Sequence, residues 1–97
     1  MSAPCPVFGF LVELQVAAAL TSSQMRELRT AFLTRVIEPR GLTYNERSGG
    51  HDWSFVVQSE AGQATDADRQ AVQAWAREQR EVAATKVGPL LDFASAA

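Results

Sequence analysis

His51, Asp52 and Ser54 bring an imidazole, a carboxylate and a hydroxyl together in one short stretch, the composition of a nucleophile with its base and orienting acid. A relay of that kind works only when the base reaches the nucleophile within hydrogen-bonding distance while the third group holds the base. Here the three are chain neighbours. In an extended segment Asp52 and Ser54 share a face and His51 stays in the preceding turn, so a solvated hairpin tip is expected rather than catalysis. Metal chemistry lacks ligands, since the chain has one histidine and one cysteine and no carboxylates clustered at ligand spacing. Gly49-Gly50 is followed by neither a helix start nor a Lys-Ser/Thr pair, so it makes no phosphate loop. Cys5 has no second cysteine to pair with. The expectation is a protein that is not an enzyme and carries no metal or cofactor.

Binding is the chemistry left, and arginine is its signal. Eight arginines stand against one lysine, and the guanidinium fork suits planar, bidentate contact with carboxylates or phosphates. The candidate contact residues are Arg26, Arg40, Arg47 and Arg77 together with His51. Arg40 stands out because it sits inside VIEPRGL, between Pro39 and Gly41 in a predicted turn, while a solvated surface is the plain alternative for the rest. The net charge is −2, with five arginines against four acids in residues 1–50 and four cations against seven acids in 51–97. Such a chain lacks the broad positive field that sequence-independent nucleic-acid binding needs. DNA and naked RNA are therefore not the expected partners.

These residues need a scaffold, and the hydrophobic pattern supplies one. Phe10, Val12, Leu14 and Val16 alternate along a first strand. Thr21 and Gln24 form a capping box at the start of a helix whose stripe is Met25, Leu28, Phe32 and Val36, running to about Glu38, where Pro39 forbids continuation. Leu42–Arg47 and Asp52–Ser59 read as a hairpin joined by Ser48-Gly49-Gly50-His51. Thr65 and Asp68 start a second helix with Val72, Trp75, Ala76 and Gln79 inward and Arg80 near its end. A last strand, Val82–Val87, precedes Gly88-Pro89 and an apolar tail, in which residues 90–93 are a possible further strand. Strand, helix, strand, strand, helix, strand is the order of an α+β two-layer ferredoxin-like sandwich: a four-stranded antiparallel sheet in order 4-1-3-2 with two helices on one face.

A length of 97 residues with 46% hydrophobic content fits one domain over 8–93, with an arm at 1–7 and a frayed tail at 94–97. No apolar run approaches a membrane span and the first residues carry no cation, so a cytoplasmic protein with no membrane partner is expected. RNA-recognition modules with this strand order stack bases on aromatics of the open sheet face. Here that face would carry Leu11, Glu13, Gln15, Ser54, Val56 and Gln58, with Trp53 and Phe55 turned inward. Trp53 and Trp75 are expected in the core, and Arg29, close to the first helix's apolar stripe, is expected to lay its stem along the helix edge.

In order, VIEPRGL, GG-x-x-W-x-F, T-x-x-DR-x-x-V-x-x-W and VGPLLDF resemble the YggL family, small bacterial proteins associated with the large (50S) ribosomal subunit. The similarity runs from Gly9-Phe10 to Phe93. It implies a non-enzymatic cytoplasmic protein that binds the large subunit, through rRNA or a ribosomal protein, and is linked to its assembly; it implies no catalytic residues. Family members often open with a basic arm, whereas this chain opens with MSAPCPV, and the family's tryptophan after the GPL motif is Phe93 here. Contact through the folded domain is thus expected, with the loop around Arg40 and the hairpin tip as candidates. A small-molecule sensor of the ACT type and a general protein-interaction module remain as alternatives; the former commonly has a glycine where this chain has Ala17-Ala18-Ala19-Leu20. The exposed sheet edges leave a monomer or weak homodimer open.

Overall fold

The computed structural model describes residues 8–17, 19–49, 52–60 and 63–92. The arm at 1–7, His51 and the tail from Phe93 onward lie outside the described residues. Strand β1 (Phe8–Val16) is central because both of its edges are used. It pairs antiparallel with β3 (Asp52–Ser59) on one side and β4 (Val82–Val87) on the other, and β2 (Leu42–Ser48) adds to β3. The order β2-β3-β1-β4 is the expected 4-1-3-2 arrangement. Alternation does what the pattern required: Phe10, Val12, Leu14 and Val16 are buried while Glu13 and Gln15 are exposed.

Helices α1 (Ser22–Phe32) and α2 (Asp66–Glu78) both start on complete capping boxes, Thr21 with Gln24 and Thr65 with Asp68. They pack their stripes on one side of the sheet, where Phe32 is the hub. Its ring meets Tyr44, Trp53, Phe55 and Trp75 at centroid distances of 5.7, 5.9, 5.0 and 5.0 Å. Both tryptophans are core residues, Trp53 fully buried and Trp75 only 5% exposed.

Three local features differ from the pattern-based expectation. The first helix does not continue as α-helix to Glu38: Leu33–Ile37 is a π-helical turn closed by the Glu38 N–H donating to Leu33 O at 2.8 Å. In a regular α-helix Ile37 would lie about 140° around the axis from Phe32. The wider turn brings Val36 and Ile37 inward together, and both are buried. Gln79 is not part of the buried stripe but caps α2 in extended conformation, its Nε2 donating to Trp75 O. Arg80 therefore lies beyond the helix, and Arg77 is the cation in its last turn.

The third adds to the four-stranded sheet the further strand that the sequence left open at 90–93: a short β5 (Leu91–Asp92), which pairs with Phe8 and Gly9 of β1. β4 and β5 are two pieces of one edge interrupted at Gly88-Pro89. Gly88 N–H donates to Leu11 O at 2.8 Å, and a Cβ on Gly88 would stand 3.2 Å from that same carbonyl oxygen. Pro89 has no N–H for the ladder, and Arg69 Nε donates to Gly88 O at 2.8 Å, fastening the break to α2. Gly88→Ala should destabilise the domain by about 1–2 kcal/mol, read from the urea midpoint at unchanged m-value.

Candidate functional site

The EPRG turn is built by backbone constraints on both sides. Pro39 ends the π-turn, and Gly41 takes φ +63°, a left-handed conformation open to glycine at little cost. Gly41 N–H donates to Glu38 O and Gly41 O accepts from Glu60 N–H, closing the turn onto the end of β3. This holds Arg40 over the start of α2, where its Nε donates to Asp68 Oδ1 at 2.8 Å. Asp68 is buried with both carboxylate oxygens bonded: its Oδ2 accepts from the N–H and hydroxyl of Thr65. Burial alone would raise the Asp68 pKa; the bonds from Arg40 and Thr65 outweigh it and hold the carboxyl below its ordinary value. Arg40 engages Asp68 through Nε, and 37% of its side chain stays exposed.

Beside this pair runs a groove of about 420 Å³. Arg35, Val36, Pro39 and Arg40 form one wall, and Ala71, Ala74, Trp75 and Glu78 of α2 form the other. Arg35 is exposed. The structure thus joins Arg40 to a residue that sequence reasoning passed over. The available signal was spacing, since Arg35 and Pro39 are i and i+4 on a helix and so neighbours.

The other expected contact residues do not gather there. Arg26 lies exposed on α1 and Arg77 exposed on α2, neither of them lining the groove. Arg47 is exposed in β2 at a register shift, where Glu46 faces Phe55 but Ser48 faces Ser54. His51 is outside the described residues. Asp52 and Ser54 line a shallow hollow of about 460 Å³ on the open sheet face with Glu13, Gln15, Ser48 and Lys86. There the hydroxyl oxygens of Ser48 and Ser54 are 2.8 Å apart and Ser48 donates to Asp52 O. These bonds tie the two strands of the hairpin together, and no group of three or more His, Cys, Asp or Glu able to hold a metal occurs among the described residues.

Arg29 does more than lay its stem along the helix. Its guanidinium carbon sits 5.8 Å from the centre of the Trp53 ring, and its Nε lies 2.8 Å from Glu46 Oε1, the oxygen that accepts from Trp53 Nε1 at 2.9 Å. The Arg29 Nε–H forms no hydrogen bond, so that approach is an ion pair without hydrogen-bond alignment. Glu46 falls in the same strand phase as the inward Leu42 and Tyr44, which is the sequence signal for a carboxylate in need of a partner. Burial pushes the Tyr44 phenol above its ordinary pKa, with the Glu46 charge adding and Arg29 opposing.

No helix of the described residues is long and apolar enough to cross a membrane. No curated protein and no solved structure matches the chain. The sequence model of the YggL 50S ribosome-binding protein matches residues 6–94, a span that takes in the EPRG turn, both helices and the interrupted β4–β5 edge. By that match over nearly its whole length, the chain belongs to the YggL 50S ribosome-binding protein family.

Proposed function

We propose that this protein is a non-enzymatic, cytoplasmic bacterial protein that binds the large ribosomal subunit through its folded domain and acts in subunit assembly. The family's 50S binding supports the partner. The observation that carries the choice of surface is the groove at the EPRG turn, where Arg40 is held by Asp68 beside the exposed Arg35. An arginine already fixed in orientation loses less side-chain freedom on binding. Arg26, Arg47 and Arg77 are further contacts outside the groove in this reading, with His51 as a fourth candidate.

Cosedimentation with purified 50S subunits tests it. Arg40→Glu would set a carboxylate against Asp68 and disturb the fold, so Arg35→Glu is the cleaner variant. Its affinity for the subunit should fall about tenfold, equal to about 1.4 kcal/mol, with an unchanged thermal midpoint. Full retention of binding by Arg35→Glu, with loss on reversal of Arg26 or Arg47, would move the contact to the hairpin side.

A further inference from the structure

We infer that the groove between the π-turn and α2 receives a segment of a ribosomal protein, a carboxylate side chain with an apolar neighbour, and not the rRNA backbone. The inference rests on the reading that this groove meets the large subunit. Two cations suit it to an anion: Arg35 and Arg40 line one wall, and the bond that holds Arg40 to Asp68 uses Nε and not the terminal nitrogens. A planar guanidinium end of this kind matches a carboxylate. Trp75 on the opposite wall is 5% exposed and its Nε1 is buried, so the polar partners offered to a ligand are the two arginines. Between these groups Val36, Pro39, Ala71 and Ala74 form an apolar shelf.

The same place is poorly suited to RNA. Exposed Glu38 adjoins Pro39, and Glu78 stands on the far wall. One carboxylate fits between the arginines, whereas a nucleic-acid strand carries a charge on every nucleotide and its next phosphates would meet those acids. Nor is there a ring for a base to stack on, because Trp75 is 5% exposed. The net charge of −2 opposes a polyanion over the whole surface.

The test uses the full chain bound to purified 50S subunits, with p-benzoylphenylalanine in place of Ala74 and, in a second variant, of Glu78 on the rim. After irradiation the adduct should survive ribonuclease, be degraded by protease, and map within about three residues of an Asp or Glu in one ribosomal protein. Reversing that acid to lysine should weaken binding of the unmodified chain about tenfold and restore binding to Arg35→Glu. A ribonuclease-sensitive adduct, a protein adduct with no acid nearby, or absence of any adduct from variants that still cosediment would overturn the inference. Failure of the unmodified chain to cosediment would instead overturn the proposed function, so the two failures are distinguishable.

Discussion

Phe32→Ala should lower the folding free energy by about 3–5 kcal/mol, the range for removing a fully buried phenylalanine and leaving a cavity. Phe32 has no exposed surface, and its ring contacts aromatics from β2, β3 and α2. No single one of those elements can move in to fill the void without losing its own packing on the others. A domain of this length has a total stability of about 5–15 kcal/mol, so the variant should be unfolded or close to it at 37 °C. Urea denaturation followed by tryptophan fluorescence and by far-ultraviolet circular dichroism checks this. Phe32→Leu, which keeps most of the volume, should cost less than half as much; equal losses for the two would mean that the aromatic contacts and not the volume set the cost.

Asp68→Ala should cost about 2–3 kcal/mol, through the lost cap and the unsatisfied Thr65 and Arg40 donors. The Arg40 share is small because the guanidinium is partly in solvent and screened. The carboxylate also makes stability depend on acid in a definite direction. Its folded pKa is held below the unfolded value, so the unfolded chain takes up the proton first as pH falls. The contribution is complete above the ordinary aspartate value of about 3.9 and is lost as pH falls through the depressed folded value. Asp68→Asn keeps a side-chain acceptor for Thr65 but cannot titrate. Its stability should therefore fall less steeply than that of the parent between pH 4 and 2, as measured by urea midpoints across that range. Parallel slopes for the two chains would assign the acid loss to other carboxylates.

The arrangement of elements was legible because each rests on a local signal. Period-two alternation marked β1 and β3, reciprocal capping pairs marked the starts of α1 and α2, and Pro39 with Gly41 marked the turn. The site was legible only in part. Arg40 was singled out by the turn that contains it, but its engagement with Asp68 joins residues 28 positions apart, and no local pattern reports that separation. Arg29 with Glu46 is similar: the helix phase of one and the strand phase of the other each hinted at a charge near the core, and only packing α1 on the hairpin brought them together. Arg26 and Arg77, singled out from composition, lie away from the groove because helix phase and not residue type decides where an exposed arginine points.

The sequence by itself determined the order and inward faces of the strands and helices, the places where they start, and the family to which the chain belongs. These depend on contacts within a few residues or on recurring spacings that the chain carries without folding. Tertiary structure alone decided three things. It set the π-turn that lets Val36 and Ile37 share the core, the pairing of β4 and β5 along one edge of β1 on either side of Gly88, and the groove in which Arg35 and Arg40 meet α2. Each is settled by how surfaces distant in sequence compete for the same space around Phe32 and the sheet. That competition exists only once the layers are packed.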